Sequence, residues 1–213
     1  MELEATTIIF YVAILVFSVI LHELAHGYAA LWRGDPTAKY AGRLTLNPAS
    51  HLDPIGSFVV PLIGYVLGGF IIGWAKPVPY NPYNLRKPRL DEFLIAVAGP
   101  VTNLVIAIVS TVLLALVVQV EASLGGFVKP MAEFLLISLS LNISLAVFNL
   151  IPIPPLDGSK ILFSILPPAV SYKVRGVLEQ YGFMLVLILI FLFSSVIGLV
   201  ASTLIRFLLS FVA

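Results

Sequence analysis

Long uncharged stretches alternate with short polar segments along the chain. The charged residues lie almost entirely in the short segments. Each uncharged stretch is near or above the ~20 residues that cross a bilayer as a helix. The pattern therefore predicts an all-α polytopic membrane protein. The uncharged stretches are 5–22, 54–75, 93–120, 134–156 and 180–205.

The second stretch differs from the others in composition. Residues 54–75 contain five glycines and Pro61, a poor composition for one straight helix. We expect a re-entrant or broken hairpin there, which gives about four to six transmembrane or re-entrant segments in all. The flanking segments 42–48 and 74–79 have alternating or proline-rich sequences that favour extended backbone. They are predicted to pair as a small membrane-associated β element.

The composition excludes several classes of protein. Of 213 residues, 60% are hydrophobic, and only 12 Lys or Arg and 11 Asp or Glu carry charge. Such a chain cannot form a soluble enzyme, a disordered segment or a nucleic-acid-binding protein. It has no cysteine, so any metal must be held by His, Asp or Glu. Without repeats or long linkers, residues 1–213 are predicted to form a single membrane domain.

The basic residues predict an orientation in the membrane. Ten of the twelve follow the first, second and fourth stretches, and only Lys129 and Arg206 lie elsewhere. Lys and Arg in short loops concentrate on the cytoplasmic side, so these connections are predicted to be cytoplasmic. No transit peptide precedes the first stretch. We therefore expect a multi-pass protein of a bacterial or archaeal cytoplasmic membrane.

Candidate chemistry begins at the end of the first stretch, in the sequence His22-Glu23-Leu24-Ala25-His26. Two histidines four residues apart lie on one face of a helix and suit a tetrahedral zinc ion. Glu23 lies beside them and can take a proton from a water that the metal activates. The alternative is a pair of buried structural histidines. Ionisable groups within an apolar stretch favour the functional interpretation.

A catalytic zinc ion normally has three protein ligands, so a third is needed. The best candidate is Asp157, which follows an uncharged stretch whose end is broken by three prolines. The orientation argument places this end on the same side as His22 and His26. The alternative is that Asp157-Gly158 is an ordinary turn just outside the bilayer.

Three sequence features together resemble the site-2 protease family of intramembrane zinc metalloproteases. They are the segment from His22 to His26, Ala98-Gly99-Pro100 with Asn103, and Asn149 through Leu156-Asp157-Gly158. The resemblance implies a metalloendopeptidase with one Zn²⁺ per chain, acting in regulated intramembrane proteolysis. It also implies the roles of individual residues: zinc ligands His22, His26 and Asp157, the catalytic base Glu23, and Asn149 near the site, where it helps to hold substrate.

The same resemblance indicates the partners. The substrate is expected to be a transmembrane helix of another protein, locally unwound so that its carbonyl is accessible. It could add to an edge strand from 42–48 or 74–79. Some relatives carry a PDZ or nucleotide-sensing domain, for which this chain has no room. Substrate selection is therefore expected from the membrane lipid environment or from separate adaptor or regulatory membrane proteins.

Two other functions are alternatives to a protease, and His51 is an alternative further metal ligand. A metal or proton transporter would distribute His and carboxylates over several crossings, yet 93–120 and 180–205 contain neither. An inactive scaffold would not require the general base Glu23. His51 is either a regulatory fourth ligand or, as we favour, a residue with local hydrogen bonds beside Asp53.

Overall fold

Four long helices dominate the computed structural model of the chain, which describes residues 5–60, 62–63, 66, 74–119 and 128–212. Each of the four is long and apolar enough to cross a membrane, which confirms the predicted all-α membrane class. The α-helices are α1 (Ala5–Arg33), α2 (Thr37–Tyr40), α3 (Pro88–Gln119), α4 (Val128–Asn149), α5 (Asp157–Ile165) and α6 (Pro168–Leu209). Shorter helical turns lie at Pro48–His51, Ile55–Val59 and Pro82–Asn84.

Helices α1 and α4 run in one direction, and α3 runs in the other. Near the amino-terminal ends of α1 and α4, Phe10 and Phe134 pack edge to face with ring centroids 5.5 Å apart. At the carboxyl end of α1, Arg33 Nε donates to Oδ1 of Asp91 in the first turn of α3, at 2.6 Å. The carboxyl ends of α1 and α4 therefore lie beside the amino-terminal end of α3. The connections that carry most of the basic residues meet at this end of the bundle.

Helix α6 lies on the outside of the bundle. It joins the core through Ala201, which packs with Ala107 of α3 and with Leu139 and Ile143 of α4. Few of its other side chains are buried, so most of its length is apolar surface that suits contact with lipid. At 42 residues it is longer than the other helices.

The predicted β element is not shown by the structure. Neither 42–48 nor 74–79 forms a strand, and the described residues as a whole contain none. The reason lies in the hydrogen bonds of 74–79, where two of six residues are proline and have no N–H. The amides of Lys76 and Val78 donate to a helical turn and to a side chain, at 2.9 and 2.8 Å. Few donors are left for a ladder.

Ten of the 22 residues of the predicted re-entrant hairpin at 54–75 lie outside the described residues, namely 61, 64–65 and 67–73. Its described part includes the helical turn at Ile55–Val59. Whether the segment spans or re-enters the membrane stays a prediction.

Candidate metal centre

The two histidines of α1 meet the first residue of α5 at the basic end of the bundle. Nε2 of His22 and Nε2 of His26 are 3.0 Å apart, and each lies 3.1 Å from Oδ2 of Asp157. All three residues are buried. Their ligand atoms lie within 4.8 Å of one another, close enough to bind one metal ion. The structure thus brings Asp157 together with two histidines that lie 135 and 131 positions before it in the sequence.

Asp157 reaches this position because the chain turns sharply between α4 and α5. The connection ends at Leu156, whose extended backbone starts helix α5 at Asp157. A Cβ on Gly158 would lie 2.2 Å from the carbonyl oxygen of Leu150, so only glycine fits against the connection. Asp157 therefore lies in a buried helix start, unlike a residue of an exposed turn.

The second ring nitrogen of each histidine faces an acceptor on α3. Nδ1 of His26 lies 2.6 Å from the carbonyl oxygen of Ile95, and Nδ1 of His22 lies 2.6 Å from Oδ1 of Asn103. A backbone carbonyl only accepts, so His26 must donate from Nδ1, and in the neutral imidazole Nε2 then keeps its lone pair. Such a bond from the outer nitrogen is typical of histidines that bind metals.

This donor set fits Zn²⁺. The Nε2 atom of His26 presents a lone pair to Nε2 of His22 and to the carboxylate of Asp157, and lone pairs and an anion at about 3 Å repel one another. A cation among them removes the repulsion. Two imidazoles and one carboxylate also form a ligand set of catalytic zinc sites that leaves a position open for water or substrate.

Helix α3 also packs closely against the histidines at Gly99. A Cβ at this position would lie 2.4 Å from Nε2 of His26 and 2.6 Å from Nε2 of His22. The missing side chain therefore leaves space beside the ligand atoms. His22 and His26 therefore pack directly against the backbone of α3 at Gly99.

Glu23, the predicted base, contacts the segment after the second stretch. Its side chain is partly buried, and Oε2 accepts a hydrogen bond from the Val78 amide at 2.8 Å. Three residues after Val78, the backbone amide of Asn81 donates a hydrogen bond to Oδ2 of Asp35 at 2.6 Å.

Asp35 joins the start and the end of the connection between α1 and α3. It is fully buried and also accepts hydrogen bonds from Thr37 and from Nδ2 of Asn84. Burial by itself raises the pKa of Asp35, but the hydrogen bonds from Thr37, Asn84 and Asn81 outweigh it, so the pKa lies below its usual value. Asp35 was not among the predicted site residues. Its signal in the sequence is a lone carboxylate directly after a helix-ending glycine.

Two predicted residues make local contacts. Nδ2 of Asn149 donates to the carbonyl oxygen of Leu145 in its own helix at 3.0 Å, so its role in holding substrate stays a prediction. Nε2 of His51 lies 2.8 Å from the carbonyl oxygen of Thr45. Among the described residues, His51 is not part of the metal-binding cluster. This geometry agrees with the favoured local role of His51.

A buried His-His-Asp cluster at one end of a bundle of membrane-spanning helices is typical of membrane-embedded metalloenzymes. Residues 10–192 match the family model of Peptidase family M50, and the chain belongs to this family. The membership confirms the resemblance to site-2 proteases and with it the predicted enzyme class, a metalloendopeptidase that uses Zn²⁺.

Several relatives agree with this assignment. YwhC of Bacillus subtilis (strain 168) is 42% identical over 181 residues, which cover 84% of this chain and 79% of the relative. Rip2 of Mycolicibacterium smegmatis is 32% identical over 178 residues, covering 81% of this chain and 63% of the relative. Both are named, provisionally, as zinc metalloproteases. No solved structure matches the chain significantly.

Proposed function

We propose that this protein is an intramembrane zinc endopeptidase that hydrolyses peptide bonds in or near the transmembrane segments of other membrane proteins. The observation that carries the proposal is the buried cluster of His22, His26 and Asp157, with Glu23 beside it on the same helix. The cluster lies at the end of the bundle where the basic connections gather. We place this end on the cytoplasmic side of a bacterial or archaeal cell membrane.

His22, His26 and Asp157 hold the zinc ion in this proposal. When bound, Zn²⁺ supplies Lewis acidity that polarises the scissile carbonyl and makes water acidic near neutral pH. Glu23 takes the proton of the attacking water on a carboxylate oxygen and later transfers it to the leaving amine nitrogen. The Val78 amide binds Oε2 of Glu23, which orients the side chain and leaves Oε1 for the proton.

The substrate is a membrane protein segment with unwound backbone. A peptide bond inside an intact helix has its carbonyl engaged in the i to i−4 hydrogen bond, so local unwinding has to precede attack. The approach to Glu23 passes segment 74–80, whose Val78 amide already contacts this base. Asn149 is our candidate for holding substrate, and separate membrane proteins are our candidates for substrate selection.

The test is cleavage in reconstituted vesicles. Purified protein is mixed with a single-span substrate, and wild type is compared with Glu23→Gln and Asp157→Asn for both cleavage and zinc content. We expect Glu23→Gln to keep zinc and lose cleavage, and Asp157→Asn to lose most of both. The matched control is Glu179→Gln, which removes a carboxylate whose side chain is 58% exposed on α6. Chelator-sensitive cleavage that survives Glu23→Gln at the wild-type rate contradicts the mechanism.

The orientation has its own test, because the chain contains no cysteine. Tyr83 is 97% exposed in the connection between α1 and α3. In intact cells, Tyr83→Cys should be protected from an impermeant thiol reagent and should react after the membrane is opened. Reaction from outside in intact cells would place the basic end, and the metal cluster with it, on the other side.

A further inference from the structure

A chain of buried amides connects the metal cluster to the middle of the helix bundle. Oδ1 of Asn103 faces Nδ1 of His22 at 2.6 Å, and Nδ2 of Asn103 donates to Oδ1 of Asn142 on α4 at 2.9 Å. Nδ2 of Asn142 donates to Oγ of Ser18 and to the carbonyl oxygen of Ser138, both at 2.9 Å. Both asparagines are fully buried. We call Asn103 and Asn142 together the amide relay.

The direction of every hydrogen bond in the amide relay follows from its far end. The Ser138 carbonyl can only accept, so Asn142 must present its NH₂ group there and its oxygen to Asn103. Asn103 then has to donate to this oxygen, which leaves its own Oδ1 toward His22. An amide oxygen only accepts, so His22 must donate from Nδ1.

This polarity matters because a neutral imidazole carries only one proton. With the proton on Nδ1, Nε2 of His22 has a free lone pair and faces Nε2 of His26 and the Asp157 carboxylate. If the Asn103 amide turned over, its NH₂ group would face Nδ1. His22 would then carry its proton on Nε2, the atom that the zinc ion needs.

We propose that Asn142 is a positioning residue of the metal centre. It does not touch the ligands; it fixes the Asn103 amide, which selects the tautomer of His22 that binds zinc. The proposal rests on the proposed function in one respect, that His22 is a zinc ligand. Outer partners of ligating histidines typically change metal affinity by about 10–100-fold when they are removed.

The first test needs no substitution in the amide relay. The chain has three histidines, so the ring nitrogens of ¹⁵N-histidine-labelled, zinc-free protein give few signals, and the loss of one set in His22→Gln assigns His22. We expect a proton on Nδ1 of His22, because this nitrogen faces the oxygen of Asn103. The opposite tautomer in the wild-type protein, with Nδ1 unprotonated and the proton on Nε2, would overturn the proposal even if no relay variant folds.

The second test is a double-mutant cycle with zinc affinity as its readout, measured by competition with a chromogenic chelator. Asn142→Leu and Asn103→Leu should each weaken zinc binding by about tenfold or more. Because Asn142 acts through Asn103, adding Asn142→Leu to Asn103→Leu should cause little further loss. Additive losses would show that Asn142 acts by another route and would overturn the proposal.

The matched control is Ser110→Ala. It removes a buried hydrogen bond between the same two helices, Ser110 Oγ to Ser138 Oγ at 2.8 Å, without touching the amide relay. It should keep zinc affinity within about twofold, whereas a purely structural role of Asn142 predicts equal losses in both variants. His22→Ala separates the two proposals. Zinc binding that survives it contradicts the ligand assignment, whereas zinc lost there but retained in Asn142→Leu contradicts only the positioning role.

Discussion

Replacing Gly99 by alanine should remove zinc from a protein that still folds. The added Cβ would lie 2.4 Å from Nε2 of His26, and ordinary van der Waals contact begins at 3.4 Å, so about 1.0 Å of displacement is needed. The histidines cannot rotate away freely because Nδ1 of each is bound on α3 at 2.6 Å. This displacement exceeds the roughly ±0.2 Å spread of metal–ligand distances in proteins, so we expect zinc affinity to fall by about 100-fold, the upper end of the losses caused by removing outer partners.

The cost to folding should be much smaller. Overpacking by one methyl group costs roughly 1–3 kcal/mol, and the helix propensity of alanine returns up to about 1 kcal/mol. The assay is zinc content after purification, combined with thermal unfolding in detergent. The control is Gly198→Ala on α6, where nothing lies within 4 Å of the added Cβ and zinc content should not change. Wild-type zinc affinity in a folded Gly99→Ala protein would refute the packing argument.

Three further substitutions separate stability from metal binding. Arg33→Leu leaves the buried carboxylate of Asp91 without its guanidinium and should lower stability to denaturing detergent by about 3–5 kcal/mol, whereas exposed Arg206→Leu should change it little. Asp35 has a lowered pKa when folded, so its ionised form stabilises the protein above about pH 4 and this contribution is lost on acidification. Asp35→Asn should therefore unfold more easily at pH 7 and lose less stability between pH 5 and 3 in thermal scans; an unchanged acid response would contradict this. His51→Ala should keep its zinc, because His51 is not in the cluster, and zinc loss on metal analysis would reinstate His51 as a ligand.

The sequence predicted the helices well because the bilayer imposes a simple rule. A segment that crosses the hydrocarbon core must satisfy its backbone hydrogen bonds internally and carry few charges, so length and composition suffice. The spacing of His22 and His26 was equally informative, since four residues in a helix place both rings on one face. Asp157 could be proposed because it is a carboxylate directly after an apolar stretch, on the side of the membrane predicted for the histidines. Each of these inferences uses the composition or spacing of a single segment, or the side of the membrane on which it ends, and both can be read from the sequence.

The contacts between helices could not be obtained in this way. In the sequence, Asn103 was only one part of the motif that carries the resemblance, whereas the structure places its amide beside the ring of His22. Asn142 was not among the predicted residues, although an asparagine in the middle of an uncharged stretch is itself a signal. What spacing does not encode is the rotation of α3 and α4 about their axes. That rotation depends on shape, as at Gly99, where the absence of a side chain permits the approach.

The predicted β element shows the opposite error, in which a local pattern received too much weight. Alternation in 42–48 and prolines in 74–79 indicated extended backbone, but pairing requires free donors on both segments. In 74–79 the Val78 amide donates to Glu23 and proline removes two other donors. The competing partner is a side chain on α1, which no pattern within the segment could reveal.

The Val78 contact also has a consequence for genetics. The group that binds Glu23 is a main-chain N–H, which every amino acid except proline can supply. Alanine scanning across 74–80 would leave this hydrogen bond intact, and any effect of Val78→Ala would report only the loss of its buried side chain. Only proline removes the donor, so Val78→Pro compared with Val78→Ala is the pair of variants that would make this contact visible in a screen.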